Sequence, residues 1–272
     1  MWTDVADLHA FYDSPTGLVA RRLIRRKLRL MWPNVAGATV LGFGYATPYL
    51  RLFHGEAVRV CALMPPEQGI LQWTVNGKVA AGLADETLFP LPDRSVDRLL
   101  LVHAVEASEA LRPMLAECWR VLADGGRMII VAPNRRGIWA RLERTPFGQG
   151  RPFSEGQIRR LLRATNFTPV RNEAALFAPP SRMRMILSTA AAWEKLGERW
   201  MGLIAGVTLT EATKQVYSAT PLPVRSRMRM LPTPARTAPA RTASARATTD
   251  RTTKERSATA SPLRGDNTAR ET

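Results

Sequence analysis

Two glycines, Gly42 and Gly44, follow a short apolar run, Thr39–Leu41, and precede a predicted helix that begins at Pro48–Leu50. A glycine turn between a strand and a helix lets the polar end of a ligand approach backbone N–H groups without a Cβ in the way. The same pair also occurs in ordinary strand-to-helix turns that bind nothing. The glycine turn therefore indicates a ligand site only if the rest of the chain supports one.

His103 and Glu106 are the residues best suited to move a proton. Histidine has an ordinary pKa of about 6.5, so His103 is the natural proton acceptor. Glu106 could orient His103 or cap the turn that follows. His103 could equally be a strand-end residue that is hydrogen-bonded to a neighbouring backbone group, and both interpretations stay open.

A third set of functional groups lies in the irregular stretch 134–153. Arginine and aromatic side chains are mixed there, a combination that suits an anionic or planar substrate. Loops of this length are usually functional or disordered. The alternative is a packed structural loop whose arginines are solvated or paired with Glu143. The predicted substrate contacts are Asn134, Arg135, Trp139 and Arg151.

The elements that would position these residues alternate between strands and helices. Apolar runs predict strands at Thr39–Leu41, Ala57–Leu63, Val75–Leu83, Arg98–Val105 and Met128–Ala132, and near Thr168–Phe177 and Leu203–Thr210. Helices are predicted at Glu109–Leu122, from the capping box Ser154-x-x-Gln157 to about Thr165, and near Arg182–Met201. This alternation predicts an α/β fold with a Rossmann-like, mostly parallel seven-stranded sheet flanked by helices.

The first 34 residues are predicted to be helical. Asp4–Tyr12 forms a predicted short helix, and Ser14-Pro15 is a good cap and first turn for a second helix that runs to about Met31. This second helix is either amphipathic with a solvated basic face or a surface for nucleic acid or anionic lipid. No aromatic ladder is interleaved with its basic residues, which favours the solvated face. Those basic residues are Arg21, Arg22, Arg25, Arg26, Lys27 and Arg29.

Composition limits the classes of function. The chain has 272 residues and a formal net charge of +16. Its two cysteines, Cys61 and Cys118, lack the spacing of a zinc site or a disulfide framework. No apolar run approaches the length of a membrane span, and Asp4 and Asp7 precede any apolar run. We therefore expect no metal, no transmembrane segment, no secretory signal and a cytoplasmic location.

The composition changes from about Leu222, where Pro, Thr, Ala, Ser and Arg replace almost all large apolar residues. Such a segment cannot bury enough surface to offset its ordering entropy. The predicted organisation is an N-terminal helical segment over 1–34, an α/β domain over 35–221 and a disordered basic tail over 222–272. The tail is either a solvated appendage or a weak binder of polyanions.

Three stretches carry a distinctive order of residues. Asp85 begins a proline-bracketed loop that ends at Asp97, and the apolar run after it leads to His103 and Glu106. The third stretch is Glu117-x-x-Arg120-Val121-Leu122-x-x-Gly125-Gly126. In this order and register the three stretches resemble the class I S-adenosylmethionine-dependent methyltransferases, and within them the type 11 methyltransferase domain. The resemblance covers about Val40–Val131.

The resemblance implies a cofactor, a reaction and site residues. The cofactor would be S-adenosylmethionine, and the reaction an in-line methyl transfer in which positioning is the main contribution of the enzyme. The glycine turn would lie under the methionine portion, Asp85 would accept a hydrogen bond from the adenine amino group, and His103 and Glu106 would face the methyl group or the substrate. The implied cofactor-binding residues are Gly42, Phe43, Gly44, Asp85, Glu86 and His103, and the implied catalytic residues are His103 and Glu106.

Two positions depart from the pattern of the family. Ala46 stands where a third glycine is usual, and the second strand lacks the acid that would hold both ribose hydroxyls. Glu56 precedes that strand and Glu67 lies beyond two prolines, so neither is an obvious substitute. Loss of such a bidentate hydrogen bond costs on the order of 1.5–3 kcal/mol, or roughly tenfold to more than hundredfold in affinity.

Three functions follow from these observations. The first is a methyltransferase with a small-molecule acceptor as its partner. The second is a catalytically silent methyltransferase-like domain that serves as a binding or scaffold protein, which the missing acid would explain. The third is RNA or protein methylation, which the net charge encourages. Neither an Asn-Pro-Pro-Tyr-type motif nor an appended RNA-binding module is present, so nucleic acid is not the favoured partner.

Overall fold

A seven-stranded sheet forms the centre of the computed structural model, which describes residues 2–180 and 205–215. Its strands are β1 (Thr39–Gly44), β2 (Arg59–Met64), β5 (Ala81–Leu83), β6 (Val96–Val102), β7 (Leu122–Pro133), β8 (Phe167–Ala175) and β9 (Val207–Lys214). Their order across the sheet is β5-β2-β1-β6-β7-β9-β8. The first five strands of this order run parallel, and β9 runs antiparallel to both of its neighbours. The predicted mostly parallel α/β fold is confirmed.

The central strands are buried on both faces because helices cover both sides of the sheet. On β6, Leu99 and Leu101 belong to one core cluster, whereas Leu100 and Val102 belong to the other. Successive side chains of a strand point to opposite faces, so a continuous apolar run supplies both cores. This is why the run at Arg98–Val105 identifies a strand so clearly.

Five α-helices flank the sheet in the described residues: α1 (Val5–Asp13), α2 (Pro15–Met31), α3 (Thr47–Leu50), α4 (Leu111–Val121) and α5 (Glu155–Ala164). Helices α1 to α3 contribute to one core cluster, and α4 and α5 contribute to the other. The predicted caps are confirmed. The Ser14 side chain accepts from the Gly17 N–H at the start of α2, and both hydrogen bonds of the capping box at Ser154 and Gln157 are present.

The prediction of a single strand over Val75–Leu83 is wrong. The segment contains a small hairpin of β3 (Thr74–Val75) and β4 (Lys78–Val79), followed by the short edge strand β5. The hairpin turns at Asn76 and Gly77, which have φ values of 52° and 73°. Asn-Gly is the dipeptide that a two-residue hairpin turn with positive φ prefers, so this signal was present in the sequence.

Helix α2 lies on the fold as an amphipathic helix. Leu23, Ile24 and Leu28 face the core. Part of its basic face is paired: Lys27 Nζ lies 3.1 Å from Glu173 Oε2, and Arg29 Nη2 lies 2.6 Å from Glu56 Oε1. The predicted helix near Arg182–Met201, the start of the predicted strand at Leu203 and the predicted tail from Leu222 lie outside the described residues.

Candidate functional site

The predicted site residues follow strands whose carboxyl ends meet at one edge of the sheet. The parallel strands β1, β2, β5, β6 and β7 end at Gly44, Met64, Leu83, Val102 and Pro133. Gly44 pairs with Val102, which places the glycine turn directly beside His103. Ligands of open α/β sheets bind outside the carboxyl ends of the strands. We call this side of the sheet the carboxyl edge.

His103 is held from both ring nitrogens. It directly follows β6 with a φ of 53° and is 5% exposed. Its Nδ1 lies 3.0 Å from Glu106 Oε1, and its Nε2 lies 2.8 Å from the Tyr12 hydroxyl. His103 is therefore bonded to two side chains, one of them from α1, and not to neighbouring backbone groups as one of the two interpretations held.

The hydrogen bonds around His103 form a chain with one direction. The Tyr49 hydroxyl donates to the Tyr12 oxygen over 2.9 Å, so the Tyr12 hydrogen is directed to His103 Nε2. A carboxylate only accepts, so His103 Nδ1 carries a proton that it donates to Glu106. With the Tyr12 hydroxyl as donor and the Glu106 carboxylate as acceptor, a neutral His103 has its proton on Nδ1 and its lone pair on Nε2. We call the chain Tyr49–Tyr12–His103–Glu106 the relay.

Burial keeps the tyrosines of the relay protonated. Desolvation raises the pKa of Tyr12 well above its ordinary value, and the neighbouring Tyr49 and the Glu106 carboxylate raise it further. Burial also raises the pKa of Tyr49. Tyr12 is therefore a hydrogen-bond donor throughout the neutral pH range. Its hydroxyl occupies the position at His103 Nε2 that a substrate would need in order to give its proton to the histidine. Glu106 has one buried oxygen, Oε2, with no hydrogen-bond partner among the described residues.

The glycine turn is required by close packing within the chain. Gly44 has a φ of 78°, and a Cβ there would lie 2.3 Å from the Val102 carbonyl oxygen. A Cβ at Gly42 would lie 2.5 Å from the Cβ of Ala46. The Tyr45 N–H donates to the Val102 oxygen over 2.9 Å, so this N–H is already used. The intervening Phe43 packs inside the core, with its ring centroid 4.7 Å from that of Phe89 and 6.0 Å from that of Trp2.

A cavity of about 540 Å³ opens at the carboxyl edge beside β2 and β5. Asp85, the predicted adenine contact, lines it together with Glu67 and Trp2. Glu67 reaches the cavity because the chain turns back after β2, where the Gln68 N–H donates to the Pro65 oxygen. From the sequence, Glu67 is not an obvious substitute because it lies beyond two prolines, yet the turn at these prolines is what brings it to the cavity. We call this space the carboxylate cavity.

The carboxylate oxygens of Asp85 and Glu86 differ in the hydrogen bonds that they accept. Asp85 Oδ1 accepts from the Thr87 backbone N–H and hydroxyl, which together hold the pKa of Asp85 below its ordinary value. Glu86 Oε1 accepts from the N–H groups of Glu109 and Ala110, where α4 begins without a capping side chain of its own. Glu86 thus caps α4 from outside. Its second oxygen, Oε2, is buried without a partner among the described residues.

The carboxylate cavity has hydrogen-bond acceptors of the kind that a nucleoside requires. Asp85 and Glu67 present acceptors for an amino group and for hydroxyls, and the lining also contains Glu86, whose buried Oε2 has no partner among the described residues. The cavity therefore fits the adenosine half of S-adenosylmethionine. The methionine half would extend toward the glycine turn and His103, where Tyr12 and Tyr45 now pack.

The loop over 134–153 separates the predicted substrate contacts into two pairs. Asn134 and Trp139 are buried and bonded inside the protein: Asn134 Nδ2 donates to the Ala205 oxygen over 2.9 Å, and Trp139 Nε1 donates to the Ala178 oxygen over 2.8 Å. Their side chains hold the loop in place. Arg135 and Arg151 are exposed at the two ends of the loop. The Arg151 backbone N–H donates to the Glu106 backbone carbonyl oxygen over 2.8 Å, which ties the loop to the segment that carries Glu106.

Two absences complete the description of the site. Within residues 2–180 and 205–215, no group of three His, Cys, Asp or Glu side chains is placed to hold a metal ion. In the same residues, no helix has both the length and the apolar character needed to cross a membrane.

Three solved structures share the fold, although none exceeds 19% identity. A chain from the complex between the Haloferax volcanii Trm112 methyltransferase activator and a putative methyltransferase is 17% identical, with a TM-score of 0.56 over 78% of this chain and 97% of that chain. The [4+2]-cyclase SpnF is 19% identical, with a TM-score of 0.51 over 73% and 82%. An S-adenosylmethionine-dependent methyltransferase from Archaeoglobus fulgidus is 18% identical, with a TM-score of 0.50 over 71% and 94%.

Among families, residues 41–130 match the model described as a methyltransferase domain. No curated protein sequence matches the chain significantly. The matched residues run from the glycine turn through β6 and α4 to β7, and they include the three stretches on which the resemblance was based. Over these residues the chain is similar to the methyltransferase domain family.

Proposed function

We propose that this protein is an S-adenosylmethionine-dependent methyltransferase that acts on a small-molecule acceptor, with His103 as the proton acceptor. The observation that carries the proposal is the His103–Glu106 pair, which lies beside the glycine turn at the carboxyl edge. Glu106 holds the proton on Nδ1, so the lone pair of Nε2 is directed away from the carboxylate. Bound S-adenosylmethionine would supply the electrophilic methyl group.

Asp85 and Glu67 are the residues that we propose to hold the cofactor. Both line the carboxylate cavity, which lies next to the strands that would carry these contacts. Glu67 would take the place of the missing acid of β2 and accept from the ribose hydroxyls. Asp85 would accept from the adenine amino group, as the family resemblance implies.

Tyr12 determines how an acceptor can reach the base. Its hydroxyl fills the hydrogen-bonding position at His103 Nε2. The proton of an acceptor therefore reaches Nε2 either through the Tyr12 hydroxyl or after α1 has shifted. Arg135 and Arg151 are the proposed contacts for an anionic or planar acceptor, because both are exposed at the ends of the loop and the Arg151 backbone N–H is bonded to the Glu106 backbone oxygen.

A second candidate, a catalytically silent binding or scaffold domain, is favoured by the same Tyr12 contact. A buried tyrosine that occupies the base is also what a closed, inactive site would contain. The fold alone does not decide between the two, because one fold supports many functions. A solved structure of the same fold is named for a cyclase, and another contains a methyltransferase activator.

Calorimetric titration of S-adenosylmethionine and S-adenosylhomocysteine into the full chain separates the two candidates. We expect micromolar binding that weakens by about tenfold or more in Asp85→Asn and Glu67→Gln, since each loses a hydrogen bond to a charged group. Asp124→Asn is the matched control, because it removes the same charge at the opposite edge of the sheet. Absence of binding by the unmodified chain would reject the methyltransferase and favour the silent domain.

A further inference from the structure

A second concave site lies on the outer side of the relay, between α1, α2, α3 and the segment 71–73. It has a volume of about 280 Å³ and is lined by three arginines, Arg21 and Arg25 from α2 and Arg51 from the turn after α3. None of the three has an ion pair or hydrogen bond to another side chain in the described part of the chain. We call this site the arginine pocket.

The charge of the arginine pocket is not balanced by its own lining. Asp13 is the carboxylate there, and its Oδ2 lies 3.1 Å from His9 Nδ1. Three guanidinium groups thus face one carboxylate. Burial lowers the pKa of Arg25, and the charges of Arg21 and Arg51 lower it further. The guanidinium groups are close enough to repel one another, so bringing them together costs free energy that an anion would return.

The remaining walls provide a neutral donor and flat apolar surfaces. Tyr45 lines the pocket, and burial and the nearby Asp13 raise its pKa to about 12, so its hydroxyl stays a donor at neutral pH. The buried Trp73 and the half-buried Leu71 close another side. Guanidinium groups match the oxygens of phosphate in geometry as well as in charge. A small tetrahedral oxyanion is the ligand that this combination fits.

We propose that the arginine pocket binds a phosphate group, either as inorganic phosphate or as the phosphate of a small monoester. The pocket shares a wall with the relay, because Tyr12 lines both and Tyr45 stacks on Tyr12 at 5.4 Å between ring centroids. The bound group would lie against Tyr12, in a pocket whose lining does not include His103. The proposal does not rest on the methyltransferase function, since it needs neither cofactor nor acceptor.

Calorimetric titration of the full chain with inorganic phosphate, at constant ionic strength set by sodium chloride, tests the proposal. We expect saturable binding to one site, weakened by about tenfold or more in Arg25→Ala and Arg21→Ala. Arg26→Ala and Arg22→Ala are matched controls: each removes the same charge from the next residue of the same helix, outside the pocket. The controls should keep the affinity within about twofold.

Thermal unfolding shows whether the variants remain folded. Removing Arg25 relieves repulsion, so Arg25→Ala should unfold at a temperature no lower than the unmodified chain in the absence of phosphate. Phosphate should then raise the unfolding temperature of the unmodified chain and of Arg26→Ala, but not that of Arg25→Ala.

The outcomes also identify the source of the phosphate group. Glycerol 3-phosphate that binds more tightly than inorganic phosphate would assign the pocket to an ester, and equal or weaker binding would assign it to free phosphate. No saturable binding of either probe up to about 10 mM would overturn the proposal. Equal losses of phosphate affinity in Arg25→Ala and Arg26→Ala would also overturn the proposal, because they would show that binding depends only on the net charge of α2.

Discussion

The Tyr12 hydroxyl lies 2.8 Å from His103 Nε2, although 91 positions separate the two residues in the sequence. This contact joins the N-terminal helix α1 to the carboxyl edge of the sheet. Tyr12 also accepts from Tyr49, so its oxygen connects two hydrogen bonds in a buried environment. The relay thus contributes both to the stability of the fold and to the state of the proposed base.

Tyr12→Phe should lower the free energy of unfolding by about 1–3 kcal/mol, because His103 Nε2 and the Tyr49 hydroxyl each lose a buried partner. Tyr45→Phe is the matched control. Tyr45 is also buried and stacks on Tyr12, but its hydroxyl makes no hydrogen bond within the described residues, so we expect a loss below about 0.5 kcal/mol. Urea unfolding measures both. Equal losses would show that the hydroxyl of Tyr12 has no special role.

The buried tyrosines predict a loss of stability at alkaline pH. Burial raises the pKa values of Tyr12 and Tyr49, and that of Tyr45 to about 12. In the unfolded chain a tyrosine loses its proton near pH 10, whereas these three keep theirs in the folded state. Their stabilising contribution is therefore complete below about pH 10 and falls as the pH rises further, by up to about 1.4 kcal/mol per pH unit for each residue.

Absorbance at the tyrosinate band measures this alkaline transition. Three of the four tyrosines of the chain belong to the buried cluster. We expect these three to ionise together with unfolding rather than in a separate step near pH 10. Tyr12→Phe should reduce the pH slope of the unfolding free energy. Independent ionisation of all four tyrosines near pH 10 in the folded protein would contradict the burial of the relay.

Gly44→Ala should destabilise the protein more than Gly37→Ala does. Both glycines have nearly the same φ, 78° and 77°, so each alanine bears the same cost of a left-handed backbone, about 1–2 kcal/mol. Only at Gly44 would the new Cβ meet the Val102 oxygen, since nothing lies within 4 Å at Gly37. Chemical denaturation should give a difference of at least about 1 kcal/mol between the two variants. Equal values would mean that β1 and β6 can separate at this point.

Glu86→Ala should weaken the start of α4, because Glu86 Oε1 accepts from the backbone N–H groups of Glu109 and Ala110. Loss of a helix cap costs about 0.5–2 kcal/mol. Hydrogen exchange of the first turn of α4 should accelerate, and exchange in α5 should stay unchanged. A lowered cofactor affinity without faster exchange in α4 would instead assign Glu86 to the cofactor, as the family resemblance implies.

The sheet could be predicted from sequence because its strands are long apolar runs that supply both cores. Such continuous apolar runs are stable at the centre of a sheet that is covered on both faces, as Leu99–Val102 and Met128–Val131 are. The short elements were harder to predict. β5 has three residues, and its neighbours in the sequence form a hairpin whose only signal is the pair Asn76-Gly77.

The candidate site was predictable only in part. His103, Glu106 and Asp85 follow strands at positions that the motifs mark. Tyr12 gave no such signal, because its partner lies across the fold and its neighbours in the sequence form an ordinary helix. Trp139 combines an aromatic ring with a loop position, but the fold provides the Ala178 carbonyl for its indole N–H and so places it inside.

Transfer of a radiolabelled methyl group would detect the proposed activity itself. The full chain would be incubated with methyl-labelled S-adenosylmethionine and a cell extract, which is then separated into small molecules, RNA and protein. We expect label in the small-molecule fraction, reduced by about a hundredfold or more in His103→Gln and unchanged in Asp124→Asn. Label confined to RNA or protein would contradict the small-molecule acceptor, and absence of transfer in every fraction would contradict the methyltransferase itself.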